Sequence, residues 1–292
     1  MMRYSLFIGC QIPSRVRQYE TAARAVLEKT GIDLADIRQF NCCGYPMRNV
    51  DKKAFLLSAV RNLALSEERG LDMLVLCNCC YGTLKKAEQM MKEGGPLQDE
   101  ILETLEKDGL AYEGKTAIRH YLSVLYHEIG TKALKSKTLK TFKDLNLAVQ
   151  YGCHLLRPDD VTGFDDPANP SIFDDLVAVT GAKSVDWTNR LECCGAPLMG
   201  INDELSMDLA GSKIKQAAKA GAGFFCTSCP YCQIQFDTVQ EMMAAESRLN
   251  QKLPSIVFPQ LLGLSMGMDP KLLGLDANKI DISMIESYLS EE

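Results

Sequence analysis

The chain has 292 residues, of which 46% are hydrophobic and 24% are charged, and its formal net charge is −6 at pH 7. This composition is typical of a globular protein of about two domains, and an acidic chain without a Lys/Arg-rich block argues against nucleic-acid binding. The N-terminal apolar segment is too short for a signal peptide, and no apolar run reaches the roughly 20 residues that span a bilayer. We therefore expect a cytoplasmic protein without direct membrane insertion.

Apolar runs and helical patterns alternate along the first half of the chain. Residues 6–8 predict a buried strand, and residues 14–29 predict an amphipathic helix. Asp51 is placed to cap a second helix that stops at Gly70, after which residues 73–76 predict another buried strand.

The second half repeats this alternation. Residues 148–151 and 223–225 predict strands, and residues 171–180 and 203–220 predict helices. Strands that alternate with helices indicate parallel sheets, in which functional side chains collect at the C-terminal ends of the strands. The predicted fold class is therefore α/β, with two similar domains, each a small parallel sheet flanked by helices and carrying cysteines at its strand C-terminal ends.

A lysine-rich stretch marks the expected boundary and gives domains at residues 1–140 and 141–292. Residues 116–132 show a helical pattern that carries His120 and His127. We expect both histidines on the surface or between the domains.

The twelve cysteines are the unusual feature of the sequence. In a reducing compartment, clustered cysteines bind metal or carry out redox chemistry more often than they form disulfides. Ten of them form two series of the same order, in which a single cysteine is followed by a Cys-Cys pair and a C-x-x-C segment. The two series are Cys10, Cys42, Cys43, Cys77 and Cys80, and then Cys153, Cys193, Cys194, Cys229 and Cys232.

The two series also have nearly equal spacing. Between the single cysteine and the pair lie 31 residues in the first series and 39 in the second, and the C-x-x-C segment follows after 33 and 34 more. A Pro- and Asp-rich loop at residues 158–170 accommodates the eight additional residues. Such repetition indicates a duplicated module.

The number of thiols bears on the kind of metal centre. Five thiols in each series exceed the four ligands that saturate a tetrahedral zinc site. Adjacent cysteines also point in different directions, which suits a multi-iron cluster better than one small ion. The residues favour iron–sulfur clusters and leave a zinc-stabilised binding module and a thiol–disulfide relay as alternatives.

The repeated pattern resembles the paired CCG domains in the B subunit of heterodisulfide reductase over nearly the whole chain. Both Cys-Cys pairs are followed by glycine, and residues 259–264 near the C-terminus add to the likeness. The same motif occurs in related subunits of lactate, glycerol-3-phosphate and thiol:fumarate oxidoreductases.

This resemblance implies two noncubane [4Fe-4S] clusters, each bound by one five-cysteine series. It implies the catalytic subunit of a heterodisulfide reductase-type complex, which reduces a disulfide of the coenzyme M–coenzyme B type by two one-electron deliveries. The implied partners are the flavin-bearing A subunit and the ferredoxin-like C subunit of the same complex. The alternative is a non-catalytic electron-transfer subunit of a related complex that acts on another acceptor.

Two kinds of residue beside the ligands are candidates for chemistry. His154 follows Cys153 and is a candidate proton donor to a departing thiolate, with a structural histidine as the alternative. Arg157 and Arg48 are candidates to pair with an anionic substrate, with solvated arginines as the alternative.

Cys79 and Cys226 lie outside the repeat, and we expect both to be small buried residues. Cys226 forms an alternative C-x-x-C segment with Cys229, although the spacing favours Cys229 with Cys232. Cys79 stands where the family has the glycine of C-N-G-C, so the choice of ligands around it stays open.

Overall fold

A computed structural model describes residues 2–249 and 251–291, so the outermost residues of the two predicted domains, Met1 and Glu292, lie outside it. The strands of this part are Met2–Phe7 (β1), Ile32–Ala35 (β2), Asp72–Val75 (β3), Ile118–His120 (β4), Lys140–Phe142 (β5), Asn146–Gln150 (β6), Lys183–Ser184 (β7), Phe224–Thr227 (β8), Ser255–Val257 (β9) and Leu289–Glu291 (β10).

The helices surround these strands. They are Gln11–Arg15 (α1), Arg17–Thr30 (α2), Lys52–Glu68 (α3), Asn78–Glu93 (α4), Pro96–Lys107 (α5), Tyr121–Ser123 (α6), Thr131–Lys135 (α7), Cys153–Leu156 (α8), Asp159–Thr162 (α9), Ile172–Val179 (α10), Asp203–Lys219 (α11), Pro230–Ile234 (α12), Gln240–Ala245 (α13) and Phe258–Ser265 (α14). Two π-helical segments, Val124–Ile129 and Gln235–Val239, extend α6 and α12.

Two four-stranded sheets are parallel throughout and share one strand order. The first runs β2-β1-β3-β4 and the second runs β7-β6-β8-β9. In each sheet the two central strands are the ones that lead into cysteines, and they are largely buried because helices cover both faces. The predicted α/β class with two similar parallel sheets is confirmed. A small antiparallel sheet joins β5 to β10.

Most of the predicted helices are present, and their ends follow from local chemistry. Asp51 caps α3 by accepting a hydrogen bond from the backbone N–H of Ala54 at 2.9 Å, as expected. The helix predicted at residues 14–29 is interrupted at Val16, whose extended φ of −138° separates α1 from α2. Helix α2 then ends at Gly31 in the left-handed conformation.

The helix predicted over residues 116–132 is wrong at its beginning. Ile118–His120 is the edge strand β4, which pairs with β3, and helical structure begins only at Tyr121. His120 is fully buried rather than exposed, and its ring lies 5.7 Å from that of Phe164 in the second half. His127 is exposed. The placement of His120 between the halves is correct, and its placement on the surface is not.

Candidate functional site

The C-x-x-C segments join the central strands to the helices that follow them. Cys77 and Cys229 come just after β3 and β8 and occupy the N-cap positions of α4 and α12. Cys80 and Cys232 lie in the first turns of these helices. The unpaired N–H groups and the positive end of the dipole at a helix N-terminus favour thiolates, so both segments are suited to ligate metal.

The Cys-Cys pairs lie in loops that turn sharply at the following glycine. Gly44 and Gly195 both have φ of 85°. A Cβ at Gly44 would lie 2.7 Å from the carbonyl oxygen of Phe55, and one at Gly195 would lie 2.6 Å from that of Ser206. Conformation and close approach therefore both require glycine, which gives a physical reason for the third letter of the Cys-Cys-Gly motif.

The first five-cysteine series lines one cavity, formed with Tyr45 and Tyr231 among others. Its members are Cys10, Cys42, Cys43, Cys77 and Cys80. The thiol of Cys10 hydrogen bonds to Cys42, as do the thiol of Cys43 and the backbone N–H groups of Gly44 and Tyr45, and together they lower the pKa of Cys42 to about 2. These contacts thus favour the thiolate form of Cys42 within a group of neighbouring thiols.

The second series lines a cavity of the same design. Its members are Cys153, Cys193, Cys194, Cys229 and Cys232. The thiol of Cys153 hydrogen bonds to Cys193, and so does that of Cys194, which lowers the pKa of Cys193 to about 2. The Sγ atoms of Cys232 and Cys194 lie 3.5 Å apart. The sequence repeat is therefore a repeat of site geometry.

Cys79 connects the two cavities, because it lines both of them. The Sγ atoms of Cys77, Cys79 and Cys229 all lie within 4.8 Å of one another. Sγ of Cys79 also lies 3.1 Å from Nδ1 of His154. Cys79 is buried as expected, but a simple apolar role does not account for these contacts. Cys226 is fully buried in β8, as expected.

The point where the two cavities meet, at Cys77, Cys79 and Cys229, is called the junction below. Three aromatic rings and one cation surround it. The ring centroid of Tyr45 lies 5.1 Å from that of His154 and 6.0 Å from that of Tyr231. The guanidinium of Arg48 lies 5.4 Å from the centroid of the Tyr45 ring. Burial lowers the pKa of His154, and Arg48 lowers it further. Arg157 is exposed and lies outside the residues that line the two cavities, so its role stays a prediction.

Two further residues link the halves behind the cysteines. The hydroxyl of Tyr19 lies 2.9 Å from the carbonyl oxygen of Leu76 and 2.6 Å from that of Ser228, each directly before the first cysteine of a C-x-x-C segment. Nδ2 of Asn78 donates to the carbonyl of Tyr151. Sequence reasoning identified these residues only as members of a helix face and of a cysteine segment, since their partners lie in the other half.

The donor set fits iron–sulfur chemistry. The five thiols of one series and that of Cys79 line each cavity, all twelve cysteines of the chain are free, and soft thiolates are the usual ligands of such clusters. Within residues 2–249 and 251–291, no helix is both long enough and apolar enough to cross a bilayer.

Comparison with known proteins places the chain among proteins with cysteine-rich CCG domains. The model of the cysteine-rich CCG domain matches residues 4–85 and 147–237, which defines a protein with two cysteine-rich domains. The chain is 36% identical to the B subunit of the ferredoxin:CoB-CoM heterodisulfide reductase of Methanosarcina mazei, over 96% of this chain and 94% of that protein. It therefore belongs to the family of heterodisulfide reductase B subunits.

Other relatives carry different names. The chain is 35% identical to a protein of Archaeoglobus profundus that is named as similar to the heterodisulfide reductase B subunit, over 93% of each chain. It is 33% identical to the 8-methylmenaquinol:fumarate reductase membrane anchor subunit of Wolinella succinogenes, over 97% of this chain and 98% of that one. A hypothetical protein of Helicobacter pylori has the same fold, with a TM-score of 0.76 at 18% identity, and this chain spans 52% of its length.

Proposed function

We propose that each cavity binds one noncubane [4Fe-4S] cluster through its five cysteines. The lining of each cavity by one complete series supports this, as does the hydrogen-bond pattern shared by Cys10 with Cys42 and by Cys153 with Cys193. Three buried thiols and two more exposed ones in each site leave one side of the donor set open toward solvent.

The chain then acts as the disulfide-reducing B subunit of a heterodisulfide reductase-type complex. The observation that carries this function is the junction, where Cys77 of one site and Cys229 of the other come within 4.8 Å. A small disulfide placed there presents one sulfur to each site. When bound, the two clusters supply the two electrons that convert one disulfide and two protons into two thiols.

The residues around the junction have separate roles in this function. Arg48 pairs with an anionic group of the substrate, because its guanidinium stands over Tyr45 at the junction. His154 donates a proton to a departing thiolate from its protonated ring, because burial lowers the pKa of that ring and so makes the imidazolium a stronger acid. Arg157 is a second candidate partner for an anion from the exposed side of the second site.

The partners of this function are those implied by the family resemblance. A ferredoxin-like C subunit supplies electrons, and a flavin-bearing A subunit completes a cytoplasmic complex. Several relatives are named as subunits of reductases, which supports assembly with other chains.

Metal analysis of anaerobically purified protein tests the clusters. We expect about eight irons per chain, four for each cluster, with matching sulfide. Zinc in place of iron contradicts the proposal. Crystals soaked with coenzyme M–coenzyme B disulfide then test the substrate, and we expect one sulfur bound at each site.

A second function follows from the relative in Wolinella succinogenes, which is named for fumarate reduction. In that case the chain passes electrons to another protein of its complex and binds no disulfide. This second function is identified by full iron content and reducible clusters, with no substrate sulfur bound after soaking.

A further inference from the structure

Lys213 is the one lysine or arginine that is buried among the residues described, with 1% of its surface exposed. It lies on α11, and its Nζ donates hydrogen bonds to the carbonyl oxygens of Asn189 and Glu192, the latter at 3.1 Å. Nζ also lies 4.8 Å from the centroid of the Trp187 ring. Its partners are thus two carbonyl dipoles and an aromatic face, and none of them carries a negative charge.

This buried cation lies directly behind the second five-cysteine site. Glu192, whose carbonyl accepts from Nζ, precedes the Cys193 and Cys194 pair. Burial lowers the pKa of Lys213, while Cys232, Cys194, the Glu192 carboxylate and Cys193 act in the opposite direction. The charge of Lys213 therefore interacts with the thiol ligands of this site.

The first half has a neutral residue at the equivalent position. Helices α3 and α11 match in register, because Asp51 and Asn202 cap them and Gly44 and Gly195 pack on their first turns. The same register places Asn62 of α3 at the position of Lys213 in α11.

Asn62 ties down its Cys-Cys loop without a charge. It is fully buried, and its Oδ1 accepts from the backbone N–H of Asn41 at 2.8 Å. Its Nδ2 donates to the carbonyl of Cys42 at 3.2 Å. An amide thus meets the hydrogen-bonding need of the loop in the first half, so that need does not explain the cation of the second.

A buried charge that is not paired directly with a carboxylate is costly, and a neutral residue of similar shape is the more stable choice where only structure matters. Electrostatics offers a reason for the charge. Reduction adds one negative charge to a metal–thiolate site, and a nearby cation in a low-dielectric interior stabilises the reduced form. The first site has the uncharged Asn62 in that place.

We propose that Lys213 raises the reduction potential of the second site above that of the first, so that an incoming electron occupies the second site first. This inference rests on the proposed clusters. Reduction of the second site is a one-electron transfer. An external reductant such as dithionite supplies the electron, the site gains one negative charge, and no covalent bond forms or breaks.

The test is a redox titration of the anaerobically purified, iron-loaded chain with dithionite, followed by electron paramagnetic resonance. Ligand variants Cys10→Ser and Cys153→Ser assign the signals to the first and second sites. In the unmodified protein we expect the signal of the second site at the lower dithionite dose. Lys213→Met should move that signal to lower potential and leave the first unchanged, whereas Lys213→Arg keeps the charge and should leave both near their original positions.

Several results overturn the inference. Reduction of the first site before the second in the unmodified protein does so without any variant of Lys213, and it therefore holds even if Lys213→Met fails to fold. Unchanged reduction potentials in iron-replete Lys213→Met also overturn it. A shift of the second potential in Lys213→Arg that equals the shift in Lys213→Met overturns it too, because it indicates a packing role. Absence of iron from the unmodified protein instead contradicts the proposed clusters themselves.

Discussion

Sγ of Cys79 lies 3.1 Å from Nδ1 of His154, so a cysteine from the first C-x-x-C segment contacts the residue that follows the first cysteine of the second series. This contact crosses the interface between the two sheets. Among the residues that the structure describes, Cys79 is the only cysteine that lines both cavities, and it lies outside the repeat.

Replacement of Cys79 tests whether this thiol is a ligand. We expect Cys79→Ala to keep iron near the unmodified level, because both five-cysteine series remain complete. Cys77→Ala, two residues away, should lose about half of the iron, that of the first cluster. Iron per chain measured after anaerobic purification decides between them. Equal losses in the two variants would make Cys79 a ligand and contradict the assignment from spacing.

Gly44→Ala should empty the first site while sparing the second. The new Cβ would lie 2.7 Å from the Phe55 carbonyl oxygen, and φ of 85° adds strain on the order of 1–3 kcal/mol. We expect iron to fall from about eight to about four per chain. Gly221→Ala is the matched control, because its φ is 82° but no heavy atom lies within 4 Å of the new Cβ. Similar iron loss in both variants would show that strain alone, without the contact, is responsible.

The strands that carry cysteines could be predicted because each is a local apolar run. β4 could not, since the three residues Ile118–His120 acquire their conformation from pairing with β3. The contact of Cys79 with His154 was hidden for a similar reason, because it depends on how the two halves pack. The difference between Asn62 and Lys213 could in principle be predicted, since aligning the two Cys-Cys-Gly motifs puts these residues at equivalent positions in the two halves.

Substitution of Arg48 tests the anion contact at the junction. With an anionic disulfide as substrate, Arg48→Gln removes a charge-assisted hydrogen bond and should raise KM by about tenfold or more. The value of kcat should change less, because the anionic group lies away from the reacting sulfurs. Steady-state kinetics with a reduced electron donor measures both constants. Arg157→Gln is the comparison, and a larger KM effect there would move the anion contact to the exposed side of the second site.

Acid stability tests the burial of His120. Burial lowers its pKa to about 3, whereas unfolded histidine titrates near 6.5. Between these values the unfolded chain binds a proton that the folded chain does not. His120 therefore contributes stability above pH 6.5 that is lost as the pH falls toward 3, by up to about 1.4 kcal/mol per pH unit.

The measurement is the free energy of unfolding in guanidinium at several pH values between about 7 and 5. Nδ1 of His120 accepts a hydrogen bond from the backbone N–H of Leu122 at 3.4 Å. In His120→Gln the glutamine keeps an acceptor for this N–H, but its side chain does not titrate. Its stability should therefore depend less on pH than that of the unmodified protein. His127→Gln changes an exposed histidine and should keep the original dependence. If His120→Gln keeps the pH dependence of the unmodified protein, the buried position of His120 between the halves is wrong.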